Sequence, residues 1–137
     1  MGKRILWIED EAYQLEGMIR PLRKSGYEIT TALDAEDALN KMEKIEFDLL
    51  LLDILIPIGS RCEKSIMPDC SAEIGLGFLE KLKKDNFKMP PIILFSVIDY
   101  SQVEEELKEK FNVVKVILKC NYLPTNLKDD VDLIFNI

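Results

Sequence analysis

Between Phe47 and Leu52 the chain reads Phe-Asp-Leu-Leu-Leu-Leu and then meets Asp53. A near-continuous apolar run of this length suits a central strand buried on both faces of a parallel sheet. It also sets a carboxylate within apolar surroundings, where an unpaired charge is costly. The rest of the sequence alternates apolar runs with amphipathic segments, the pattern of βα units around a parallel sheet.

Arg4 to Ile8 reads as the first strand. The helix after it carries Leu15, Met18, Ile19 and Leu22 on one face and ends near Gly26. Pro21 falls inside that pattern and is expected to kink or shorten the helix. Tyr27 to Leu33 reads as the second strand, and Asp34 as the cap of a helix with the core stripe Ala38, Leu39, Met42 and Ile45. After the Phe47 to Leu52 strand, residues 58–74 fit no element and read as a long loop or lid. A short helix is expected from about Gly77, with Phe78, Leu79 and Leu82 inward, and Pro91 to Phe95 reads as strand four. Ser101 and Glu104 form a capping-box pattern for a helix carrying Val103, Leu107 and Phe111. Val113 to Leu118 reads as strand five, and a last helix from about Asn126 turns Leu127, Val131 and Ile134 inward.

The 137 residues amount to one domain, with little room for a second, output-type domain. A formal net charge of -7 works against nonspecific binding to nucleic acid or anionic membrane. The longest apolar stretch, Phe47 to Ile58, is too short and too charged to span a bilayer. With no signal peptide of the usual shape, a cytoplasmic protein is expected. The three cysteines, Cys62, Cys70 and Cys120, then read as reduced thiols. The absence of histidine excludes the usual triads and His-based acid–base chemistry and argues against a structural zinc site.

Four of the five strands end in a polar group suited to acting on an anion: Glu9-Asp10, Asp53, Ser96 and Lys119. Ligands of open α/β sheets bind outside the carboxyl ends of the strands, so these groups converge if their strands are neighbours. Three clustered carboxylates repel one another and favour a hard cation, and Mg²⁺ prefers oxygen ligands. A carboxylate oxygen of Asp53 is then placed to attack a phosphoryl group, while the Ser96 hydroxyl and the Lys119 ammonium bond or neutralise its oxygens. Taken singly, each residue has a plainer reading: Asp10 as a helix cap, Glu9 as a solvated loop acid, Ser96 and Lys119 as ordinary polar strand ends. The weight lies in the whole set in this order.

The segments Ile5-Leu6-Trp7-Ile8-Glu9-Asp10-Glu11 and Phe47 to Asp53, followed by Pro57, Ile92 to Ser96 and Lys119, resemble the receiver domains of two-component response regulators over nearly the whole chain. The resemblance implies a flavodoxin-like (βα)5 fold with a doubly wound, five-stranded parallel sheet. It implies that Asp53 is the phosphoacceptor, supplied by a histidine kinase or phosphotransfer protein. Glu9 and Asp10 match the metal-binding acid pair, the backbone carbonyl of Leu55 a further Mg²⁺ ligand, Ser96 the switch hydroxyl and Lys119 the phosphate-binding lysine. The family's signal leaves through the surface of the fourth helix, fifth strand and fifth helix, here toward an unknown downstream protein in trans or a second copy of the chain.

The chain departs from the family pattern at several places. Val116 stands where the switch aromatic is usual, which argues against coupling through an aromatic flip. The bulky Val97 replaces a small residue and narrows the approach of a phosphodonor. Cys120 stands in place of a proline, so the family's cis peptide is not expected. The loop after Asp53 is longer by about fifteen residues than the family's short turn. Leu55 and Ile98 cannot orient a hydrolytic water, which predicts a slowly decaying phosphoaspartate. The leading reading is therefore a stand-alone receiver that is not otherwise an enzyme. The alternative is a pseudo-receiver, an interaction module not normally phosphorylated. An aspartate-nucleophile phosphatase fits less well, because Asp53-Ile54-Leu55-Ile56 lacks the second aspartate that would protonate a leaving group. A flavodoxin fits least, because no Ser/Thr/Gly-rich phosphate loop follows strand one.

Overall fold

The computed structural model of the chain describes residues 2–53, 74–96, 104–118 and 122–136. Its elements in chain order are β1 (Arg4–Ile8), α1 (Ala12–Lys24), β2 (Glu28–Ala32), α2 (Ala35–Lys44), β3 (Leu49–Leu52), α3 (Ile74–Lys84), β4 (Ile92–Ser96), α4 (Glu104–Lys110), β5 (Val113–Leu118) and α5 (Pro124–Phe135). The five strands form one sheet in the order β2-β1-β3-β4-β5, and every neighbouring pair is parallel. This is a flavodoxin-like α/β arrangement, with the order reversing between β1 and β3.

The apolar content of the strands explains their positions. All four leucines of β3 are fully buried, as are Ile5, Leu6 and Ile8 of β1 and Ile92, Ile93 and Leu94 of β4. These three strands occupy the middle of the sheet. Successive side chains alternate between its faces and divide the core in two. On one face Leu6, Ile8, Leu50, Leu52 and Leu94 meet Ala38 and Leu39 of α2, Phe78, Leu79 and Leu82 of α3, and Leu107 of α4. On the other, Ile5, Trp7, Leu49, Leu51 and Ile93 meet Ile19 and Leu22 of α1 and Leu127 and Val131 of α5.

β1 and β5 span the expected residues, and β2, β3 and β4 differ from expectation by one or two at an end. Asp34 caps α2, its Oδ1 accepting the Asp37 N–H at 2.7 Å. Three helices depart from the sequence reading. α1 continues through Pro21 to Lys24 rather than stopping short. Burial of Ile19 and Leu22 on either side of the proline holds the last turn although one backbone donor is missing. Gly26, at φ +93, then turns the chain into β2.

α3 begins at Ile74, inside the stretch expected to be loop and three residues before the expected start. Gly75 and Gly77 weaken its intrinsic helix signal, whereas the buried Phe78 and Leu82 keep the four-residue spacing of one helical row. α5 begins at Pro124, two residues early, because proline suits the first helical position. The Asn126 side chain there accepts the Leu123 N–H at 3.1 Å instead of opening the helix itself. Residues 58–73, with Cys62 and Cys70, lie outside the described residues, as do Val97, Ile98, Ser101, Val103 and Cys120.

Candidate functional site: an acid cluster at the carboxyl edge of the sheet

β1 and β3 are adjacent and in register, with Ile8 opposite Leu52. One residue further on, both chains are still tied to the sheet. The Asp53 N–H donates to the Ile8 carbonyl at 3.0 Å, and the Glu9 N–H to the Ala32 carbonyl at 2.9 Å. The backbones that carry these acids are therefore fixed by sheet hydrogen bonds rather than held on free loops. Glu9 is fully buried and Asp53 is 6% exposed, the two buried charged residues among those described.

Asp10 follows on the exposed turn into α1. It does not cap that helix: the capping position belongs to Glu11, and no side chain bonds the first turn there. The Glu11 N–H instead donates to Glu9 Oε2 at 3.3 Å. One carboxylate oxygen each from Glu9, Asp10 and Asp53 lies within 4.8 Å of the others. The plain readings of Asp10 as a cap and of Glu9 as a solvated acid therefore do not hold.

Two like charges about 4 Å apart repel by roughly 4 kcal/mol at an effective dielectric of 20. A divalent cation offsets that repulsion, and an all-carboxylate donor set suits a hard cation rather than a soft one. The N-terminal end of α1, which starts at Ala12 immediately after these acids, adds the positive end of a helix dipole.

Ser96 closes β4, pairing in register with Leu118 at the end of β5, so its backbone reaches the same edge of the sheet. The Ser96 side chain, Leu55 and Lys119 lie outside what the structure describes. Val116 is partly buried and packs against the apolar cluster on the α2–α3–α4 face. At the opposite edge of the sheet, an open cavity of about 590 Å³ is lined by residues 42–48 and 87–91. It holds none of the three acids. Among the described residues, no helix is long and apolar enough to cross a membrane.

The sequence reading missed a network outside the acid cluster. Tyr27 donates to Asp132 Oδ1 at 2.5 Å, and Lys128 Nζ lies 2.5 Å from the other carboxylate oxygen. Burial and the Asp132 partner push the Tyr27 phenol well above its usual value, while Lys128 and then Tyr27 hold the Asp132 carboxyl below its own. The spacing of Lys128 and Asp132 along α5 was visible in the sequence, but nothing local linked Tyr27 to a residue 105 positions away.

No family model matches the chain. Over 57 residues it is 40% identical to the alkaline phosphatase synthesis transcriptional regulatory protein PhoP of Bacillus subtilis, an alignment covering 42% of this chain and 24% of that protein. The chain spans about a quarter to a third of the length of the curated relatives it matches. Among solved structures, a two-component response regulator of Clostridium difficile shares the fold, with a TM-score of 0.74 and 19% identity over 98% of this chain and 96% of that one. The response regulator TrrA of Thermotoga maritima, solved in complex with Mg(2+)-BeF, is 30% identical, with a TM-score of 0.67 over 96% of this chain and 97% of that one. With this identity over nearly the full length of TrrA, and the sheet order and acid cluster described above, the chain belongs to the receiver domains of two-component response regulators, a family of phosphoacceptor signalling domains.

Proposed function

We propose that this chain is a Mg²⁺-dependent switch in which Asp53 accepts a phosphoryl group from a histidine kinase or a phosphotransfer protein. The observation that carries the reading is the meeting of Glu9, Asp10 and Asp53 within 4.8 Å at the carboxyl edge of β1 and β3. A carboxylate oxygen of Asp53 attacks phosphorus, and the bond from phosphorus to the donor's imidazole nitrogen breaks. The imidazole keeps the electron pair and takes up a proton, leaving an acyl phosphate on Asp53. Sheet hydrogen bonds to both acid-bearing backbones hold the acceptor and its neighbour in place before the donor arrives.

Glu9, Asp10, Asp53 and the backbone carbonyl of Leu55 are the groups that would hold Mg²⁺. When bound, the ion supplies charge neutralisation for the carboxylates and the phosphoryl oxygens. The complex of the Thermotoga maritima relative with Mg(2+)-BeF supports this choice of metal. The Ser96 hydroxyl and the Lys119 ammonium are assigned to the phosphoryl oxygens, Ser96 as hydrogen-bond donor and Lys119 as counter-charge. The signal is assigned to the surface of α4, β5 and α5, read by a downstream protein or by a second copy of the chain.

The pseudo-receiver reading draws on one observation: Val116 is packed against the core at the position where the resemblance calls for a switch aromatic. A Mg²⁺–beryllofluoride titration separates the two readings. Trp7, buried two residues before Glu9, supplies the fluorescence signal to be followed. A saturable change that needs both Mg²⁺ and beryllofluoride, and that is lost in Asp53→Asn, supports the acceptor. No change in the wild type favours the pseudo-receiver.

A further inference from the structure

Among the described residues, β2 lies at one end of the sheet and pairs with β1 alone. The Glu28 N–H donates to the Lys3 carbonyl and the Ala32 carbonyl accepts the Glu9 N–H, both at 2.9 Å. Glu28, Thr30 and Ala32 therefore turn their backbone groups toward β1. By the alternation of a strand, Ile29 and Thr31 turn theirs outward. An outward row of this kind is a template for pairing with another strand, and Ile29-Thr30-Thr31 is rich in β-branched residues that favour such pairing.

Both outward carbonyls are occupied by cations, one from each flanking helix. Arg23 of α1 reaches the Ile29 carbonyl, with Nη1 at 3.4 Å. Lys41 of α2 reaches the Thr31 carbonyl, with Nζ at 2.5 Å. Each cation is held by an acid of its own helix. Glu16 takes Arg23 through two contacts of 2.9 and 3.3 Å, and Asp37 takes Lys41 at 3.1 Å. An open cavity of about 440 Å³ runs beside this edge, lined in part by Arg23, Lys41 and Thr31 and, at its rim, by the exposed Tyr13 and Leu33.

We infer that Arg23 and Lys41 are plugs that close the β2 edge to strand addition, and that without them the edge pairs with β2 of a second copy of this chain. The occupant follows from symmetry. Two copies related by a two-fold axis present the same edge to each other, and antiparallel pairing would use the outward groups of Ile29 and Thr31 on both.

The test is Arg23→Met with Lys41→Met, which keeps the apolar stems and removes the donors. Sedimentation velocity across a range of concentrations is read beside amide hydrogen exchange at Ile29 and Thr31. The expected result is a concentration-dependent rise to at least twice the wild-type mass, with new protection of those two amides. Adding Thr31→Pro removes an outward donor, and the mass and the exchange of the Ile29 amide should then return toward wild type. An unchanged mass in a folded double variant overturns the inference. So does a rise in mass without protection at Ile29 and Thr31. If the double variant does not fold, the same pair of measurements on Lys41→Met decides, with the same two outcomes.

Discussion

Asp53 shows how one residue's surroundings limit what it can do. It ends a strand of four fully buried leucines, is itself almost buried, and shares its edge with Glu9 and Asp10. Replacing Asp10 with asparagine removes the exposed member of the set without disturbing the core. Mg²⁺ affinity should then fall by about tenfold or more, equivalent to about 1.4 kcal/mol per decade, read by titration of Trp7 fluorescence. An unchanged affinity would remove Asp10 from the metal site.

Tyr27 gives a second test at this scale, through pH. Its folded-state value is raised by burial and by Asp132, so its contribution to stability is fully present below the unfolded tyrosine value and is lost as pH rises past about 10. Asp132 is shifted the other way by Lys128 and Tyr27. Its contribution is present above the unfolded carboxylate value of about 4 and is lost as pH falls toward its lower folded value. Urea unfolding across pH should show both losses, and Tyr27→Phe should flatten the alkaline one at a cost of about 1 kcal/mol at neutral pH. An alkaline loss of the same size in Tyr27→Phe would assign it to another group.

At the scale of elements, Asp34→Ala should cost about 1 kcal/mol by removing the cap of α2, measured as a fall in the denaturant midpoint at constant slope. Leu50→Ala, at the centre of β3, should cost about 2–5 kcal/mol. The large difference between these costs also explains which elements could be read from the sequence. Strands buried on both faces require unbroken apolar runs, so β1, β3, β4 and β5 stood out almost to the residue. Helix starts rest on contributions nearer 1 kcal/mol, which packing overrides. Gly75 and Gly77 hid the first turn of α3, and the start of α5 was set near Asn126 although Pro124 opens the helix. Pro21 does not shorten α1, because the burial of Ile19 and Leu22 offsets the lost hydrogen bond.

For the whole molecule, the parallel order β2-β1-β3-β4-β5 gives the scattered acids a common site. Position 53 is distant in sequence from 9 and 10 and meets them only because β1 and β3 are neighbours in register. The acids were legible because a carboxylate ending an apolar run invites a reason for being there. Ser96 and Lys119 carry less weight by themselves, since a polar residue at a strand end is common; their proposed roles rest on the whole set and on the family pattern. The apolar Leu55 and Ile98 flank the proposed acceptor and switch positions, and they predict an acyl phosphate that outlasts seconds under native conditions. Decay within seconds would show that water is oriented by some other group. The central claim is met most directly by intact-mass measurement after incubation with acetyl phosphate, with Mg²⁺ or with EDTA, on the wild type and on Asp53→Asn. The account predicts the gain of one phosphoryl group only in the wild type with Mg²⁺; a gain that persists in Asp53→Asn, or that is indifferent to EDTA, would contradict it.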